Sequence, residues 1–189
     1  MRVLRANEYR RMPWKNGGGE TREILVSPPG ATLDTLDWRV SLATVASDGP
    51  FSVFTAIDRT LSVIRGAGIR LQVGTEPTAL LLENSDPYSF DGEAPASADL
   101  VDGAIVDLNV MSRRGRFRHS VRRITVDGQL RLPPSHGTII VFCQRGSVQC
   151  DAVSLESEDC AVLDSVPSAV ELNAAEPAEV LLIELSASE

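Results

Sequence analysis

Trp38-Arg39-Val40-Ser41-Leu42-Ala43-Thr44-Val45 is the stretch on which the fold turns. Trp38, Val40 and Leu42 fall on one side of a period-2 alternation and Arg39, Ser41 and Ala43 on the other, which predicts a β-strand with two unlike faces. An arginine set among apolar neighbours on such a strand is costly to bury without an anion beside it. A substrate carboxylate, gripped bidentately, is one such anion and an internal acid is another; both readings stay open.

Working outward, strand-like segments recur at 21–26, 61–65, 69–73, 78–82, 105–111, 121–126, 139–143, 147–153, 160–163, 170–172 and 180–185, and no 11-residue window carries a convincing 3.6 repeat. Asp127-Gly128, between Arg122-Arg123-Ile124-Thr125-Val126 and Gln129-Leu130-Arg131-Leu132, predicts a two-residue hairpin. About a dozen short strands punctuated by Gly, Pro, Asp and Ser predict an all-β sandwich or barrel. Leu61-Ser62-Val63-Ile64-Arg65-Gly66 and Val141-Phe142-Cys143-Gln144-Arg145-Gly146 echo one another, as two barrel-like halves would. The acidic, Pro-, Ala- and Ser-rich stretch 86–103 reads as a crossover or flap. In Asp107-Leu108-Asn109-Val110-Met111, Asp107, Asn109 and Met111 share the face opposite Leu108 and Val110.

The chain has 189 residues, 43% hydrophobic and 23% charged, the composition of an ordinary globular protein. No apolar run approaches the roughly 20 residues that cross a bilayer, and the N-terminus lacks a secretory apolar region, so a cytoplasmic protein without a membrane partner is expected. Cys143, Cys150 and Cys160 sit among apolar neighbours without a C-x-x-C and read as reduced core thiols. The net charge of -8 disfavours a nucleic-acid partner. Charge is nonetheless segregated: residues 73–110 carry eight acids and no base, whereas six arginines and no acid lie between Arg113 and Arg123. That cluster is an anion-binding patch or, the favoured reading, a surface strand whose arginines pair with the acidic stretches.

Of the 18 basic residues 17 are Arg; the exception, Lys15, lies in Pro13-Trp14-Lys15-Asn16-Gly17-Gly18-Gly19. Three glycines let backbone approach an anion closely, and Lys15 and Asn16 add side-chain donors. No G-K-[ST] follows and the next segment is a strand, so this is no P-loop. A tight turn is the plain alternative; a ligand role is favoured. Only His119 and His136 are available as histidines, too few for an H-x-H pair with a third ligand, so no metal and no cofactor are expected.

Pro13-Trp14-Lys15-Asn16-Gly17-Gly18-Gly19-Glu20-Thr21-Arg22-Glu23, Trp38-Arg39-Val40-Ser41, Asp48-Gly49-Pro50-Phe51-Ser52 with Asp58-Arg59-Thr60-Leu61, and Asp107-Leu108-Asn109-Val110-Met111-Ser112-Arg113-Arg114-Gly115 together resemble the HutD/Ves family, in the family's order and over about residues 10–120. Thr55-Ala56-Ile57 departs from it where a Pro-Gly pair is expected. The resemblance implies a cupin-like (RmlC-like) double-stranded β-barrel, a bicupin of two pseudo-repeated halves at about 1–100 and 101–189, without the cupin metal histidines. It also implies association with histidine utilisation and binding of a small anionic metabolite of the urocanate or formiminoglutamate type, and it brings no established catalytic residues. The ligand-binding set expected from the matching motifs is Lys15, Asn16, Gly17, Gly18, Arg39, Arg59 and Asn109. A metal-independent enzyme using His119 or Asp107 for proton transfer is the alternative, and an interaction module a further one; a homodimer is the assembly to test.

Overall fold

Alternation of β-branched and polar residues is realised as strands along nearly the whole chain. The computed structural model describes residues 1–14 and 17–188. In chain order the strands are β1 (Arg2–Leu4), β2 (Arg10–Pro13), β3 (Gly19–Ser27), β4 (Trp38–Val45), β5 (Gly49–Pro50), β6 (Ile57–Arg65), β7 (Ile69–Val73), β8 (Ala79–Leu81), β9 (Tyr88–Asp91), β10 (Ala96–Leu100), β11 (Ile105–Arg113), β12 (Phe117–Leu132), β13 (Ser135–Arg145), β14 (Ser147–Cys150), β15 (Val153–Glu156), β16 (Cys160–Val166) and β17 (Val170–Ala187). Among the described residues no helix is long and apolar enough to cross a membrane.

The chain divides into two units, Arg10–Arg118 and Met1–Tyr9 with His119–Glu189. In the first, a six-stranded sheet ordered β2-β3-β4-β11-β6-β9 faces a four-stranded sheet ordered β5-β10-β7-β8. Leu61 and Val63 from one sheet pack with Ile69, Leu71, Val73, Ala96 and Ala98 from the other, so the odd-numbered face of β4, β6 and β11 is the barrel interior. In the second unit the order is β1-β16-β13-β17-β14-β15, with β12 also on β17. Its interior is apolar, built on Val141, Cys143, Val148, Leu155, Leu172 and Val180. Tyr9, Arg5 and Ala6 tie the N-terminal segment to this unit. The Tyr9 hydroxyl donates to the Glu158 carbonyl at 2.5 Å, and Asp159 accepts from the Ala6 amide at 2.9 Å and from Arg5 at 2.7 Å. Burial pulls the Asp159 carboxyl upward, but those donors with the Glu156 amide outweigh it and hold it below the usual range.

Three expectations need correction. Asp127-Gly128 makes no hairpin: β12 runs straight through it, and the contacts Ser120 with Glu184, Thr125 with Glu179 and Arg131 with Glu171 march antiparallel along β17. Gly128, at φ +73°, is absorbed as a kink within a long strand, because β17 offers both flanks a longer partner than they offer each other. The stretch 86–103 is no structureless flap, since β9 pairs with β6 and β10 with β7. The segments 170–172 and 180–185 are one strand, β17. By contrast, the echoed Arg-Gly sequences do equivalent work. Each ends a strand, β6 or β13, and turns at a positive-φ glycine, Gly66 at +105° and Gly146 at +87°, into the next strand of its unit.

Candidate functional site

The interior of the first barrel changes character along its length. On β11 the inward residues run Ile105, Asp107, Asn109, Met111; on β6 they run Val63, Leu61, Arg59, Ile57; on β4 they run Val45, Ala43, Ser41, Arg39. Ile105, Val63, Leu61, Val45 and Ala43 belong to one apolar cluster, while Met111 and Ile57 join Leu36 in another. Between the two lies a polar belt of Arg39, Ser41, Arg59, Asp107 and Asn109. Register shifts adjoin it, at Val106/Asp107 against β6 and at Glu23/Leu25 in β3, the irregularities by which a sheet re-aims side chains.

Arg59 is 4% exposed. Its guanidinium lies 4.9 Å from the ring centroid of Phe90, 5.1 Å from that of Phe54 and 5.5 Å from that of Phe51, a cage on which a cation is held by the ring faces. One Nη donates to the Ser52 carbonyl at 3.3 Å, and Nε has no hydrogen-bond partner. Among the described residues it makes no ion pair. Burial lowers it to about 10, the charge of Asp107 opposing that shift. Gly92 admits the arginine stem: a Cβ there would stand 3.2 Å from its Cγ and Cδ and 2.6 Å from the Ile57 carbonyl oxygen.

Asp107, 1% exposed, has an unpartnered Oδ1, and desolvation pushes its carboxyl up to about 7 against the pull of Arg59. Asn109, 8% exposed, likewise has an unpartnered Oδ1. Buried polar atoms left in this state cost stability and mark places where something else completes them. Arg39 differs: its Nε donates to Glu23 at 2.8 Å, so the internal acid weighed above is its partner.

Lys15 and Asn16 lie outside the described residues. The neighbouring glycines serve a tight connection between β2 and β3. Gly17 adopts φ +72°, its amide donating to the Trp14 carbonyl at 3.1 Å, and the Gly18 carbonyl accepts from the Ala46 amide at 3.0 Å. At Gly19 a Cβ would fall 2.0 Å from the Thr44 carbonyl oxygen and 3.1 Å from the Trp14 ring, so only glycine fits. Trp14 packs into the apolar cluster that also holds Phe51 and Phe90, and its indole donates to Thr21 at 2.9 Å. Trp14 therefore packs with the cluster that supplies two of the three cage rings, Phe51 and Phe90.

The Arg113–Arg123 cluster is engaged with the protein's own acceptors. Arg113 donates to the carbonyls of Leu33, Asp34 and Leu36, and Arg114 holds Asp58 at 2.8 Å and Asp91 at 2.7 Å. Arg116 meets Asp37 at 3.0 Å, Arg122 meets Glu184 at 3.8 Å, and Arg123 donates to Gln144. The three cysteines are free and buried, with burial raising Cys143 and Cys160 to about 12 and Cys150 to about 11.

Of the residues expected from their motifs, Arg59 and Asn109 lie together in this belt. The three phenylalanines and Gly92 were not among the expected residues, and Asp107 was named for proton transfer only. The aromatic signal was present in Pro50-Phe51-Ser52-Val53-Phe54, which alternation alone does not connect to Arg59.

The family model described as HutD matches residues 6–182. A Pseudomonas putida protein described as an uncharacterized 21.2 kDa protein in the hutC 3' region is 37% identical over 164 residues, 87% of this chain and 84% of that one. Protein Ves of Citrobacter koseri is 39% identical over 119 residues, 61% of each chain. Among solved structures, HutD from Pseudomonas fluorescens SBW25 superposes with a TM-score of 0.87 at 33% identity over 100% of this chain and 99% of that one. A cupin 2 conserved barrel protein from Leptotrichia buccalis, at 14% identity and a TM-score of 0.60 over 98% and 96%, shares the fold alone.

Proposed function

Given that the chain belongs to the HutD family, we propose that it is a small-ligand-binding modulator of histidine utilisation, taking an anionic carboxylate intermediate of the urocanate or formiminoglutamate type into the barrel of residues 10–118. One observation carries this reading: Arg59 is a desolvated cation in a ring cage, with an unpartnered Nε and, among the described residues, no ion pair. Holding such a charge away from water is expensive, and a ligand carboxylate offsets that expense by charge-assisted hydrogen bonds inside a low-dielectric site. The position of the Pseudomonas putida relative beside hutC supports the pathway.

In this reading Arg59 neutralises the carboxylate and Asn109 orients it. Lys15, Asn16, Gly17 and Gly18 complete the proposed set, the Gly17 amide taking part only if the Trp14 carbonyl releases it and Arg39 only if Glu23 does. Titration calorimetry with urocanate, formiminoglutamate and formylglutamate tests the proposal. At least one should bind, Arg59→Met should abolish binding, and Lys15→Ala should weaken it; silence from all three compounds overturns the ligand class. One feature favours a second reading, metal-independent proton transfer on the same compounds. It is the Asp107 carboxyl, which burial brings into the range of a general acid or base. Turnover followed by urocanate absorbance would establish that instead.

A further inference from the structure

The polar belt holds more unmet acceptors than donors. Asp107 and Asn109 project from β11 onto the face shared with Arg59 on β6, and the unpartnered atoms are one donor, Arg59 Nε, and two acceptors, the Oδ1 atoms of Asp107 and Asn109. A bare carboxylate would satisfy only the donor. It would also bring a second negative charge toward Asp107, whose own charge interacts with Arg59, and would leave the acceptors dry. Asn109 can turn its amide over to offer N–H in place of oxygen; an ionised Asp107 can only accept. Together these features define the missing half of the ligand.

Resting on the carboxylate reading above, we infer that Asp107 is the specificity-determining residue of the site and that it selects ligands bearing an N–H donor, such as an imidazole, an amidine or an ammonium, in addition to their acid group. Arg59 takes the acid end and Asp107 the nitrogen end, so two buried charges of the protein are each answered by the opposite charge or dipole of one molecule. A site built to hydrogen-bond an N–H rejects the analogue lacking it strongly, because the analogue leaves the buried acceptor unpaired.

The test uses the full chain and two probes of like shape, 3-(imidazol-4-yl)propionate and 3-(furan-3-yl)propionate, titrated calorimetrically. The unmodified protein should bind the imidazole compound at least about tenfold more tightly. Asp107→Leu, which keeps the branching at Cγ and removes the acceptor, should bring the two affinities within about threefold. Asp107→Asn, which keeps one oxygen, should fall between. Equal binding of both probes by the unmodified protein overturns the role of Asp107 and leaves the carboxylate reading standing, as does a preference that survives in Asp107→Leu. Binding of neither probe removes the carboxylate reading and this inference with it.

Discussion

The two barrels use their interiors differently. That of residues 119–189 with 1–9 is filled chiefly by valine, leucine, alanine and cysteine, and even the Cys143 thiol finds a carbonyl acceptor, Gly146 at 3.5 Å. That of residues 10–118 interrupts its apolar filling with an arginine, an aspartate and an asparagine whose polar atoms are incompletely met. One architecture thus serves two ends: the apolar interior contributes packing energy, while that of residues 10–118 gives some of it up to keep chemically unsatisfied groups in place.

The sharpest contrast should come from truncating the packed interior. Leu155→Ala, at a fully buried position, is expected to lower stability by about 3 kcal/mol in urea unfolding. A loss under about 1 kcal/mol would mean that this barrel is less well filled than described.

The polar belt should show itself through pH. The Asp107 carboxyl is near 7 in the folded protein against an ordinary 3.8, so between those values the folded state holds a proton that the unfolded chain has released. Its contribution is fully present below about pH 4 and is lost as pH rises through 7, a fall of about 2–3 kcal/mol between pH 4.5 and 8. Asp107→Asn should flatten that slope in denaturation midpoints. Asp159, held below the usual carboxylate range, acts in the opposite sense, its contribution lost only as pH drops further into acid. A slope unchanged in Asp107→Asn would remove the desolvated aspartate from the comparison.

Replacing the caged cation tests the same contrast from the other charge. Arg59→Met should raise the stability of the ligand-free protein by about 1–2 kcal/mol while removing ligand binding. A large destabilisation would show that Arg59 is structural, like Arg39 with Glu23.

The smallest effect is local. Ala56 adopts φ +56°, where the family resemblance leads one to expect glycine, and its carbonyl accepts from the Arg114 amide at 2.8 Å. Ala56→Gly should relieve left-handed strain and raise stability by about 0.5–1 kcal/mol, measured as a shift in Tm.

Alternation was enough to read the central strands: β4 is Trp38–Val45 as expected, because both its faces are committed to burial. It was not enough where pairing is decided by a distant neighbour. Gly128 looks like a turn until β17 is present to carry β12 past it, and β9 and β10 are hidden by punctuation that only β6 and β7 override. The site was half legible. Arg59 and Asn109 stood in recognisable motifs, but the cage brings together Phe51, Phe54 and Phe90 from a loop and an edge strand, a meeting that no spacing in the sequence encodes. Arg39 was singled out by the cost of burying it and Arg59 by its motif, yet it is Arg59 that lies buried without an acid in contact among the described residues. What separated them was Glu23, placed on the interior face by the register of β3.

Residues 2–4 pair with 160–162, at opposite ends of the chain. A ribosome releases the N-terminal strand first and its partner among the last, so the segment spends most of translation without its ladder. Over that interval the unit of residues 10–118 can already have closed. A bulky N-terminal fusion would therefore handicap the later-made barrel and leave the earlier one largely untouched.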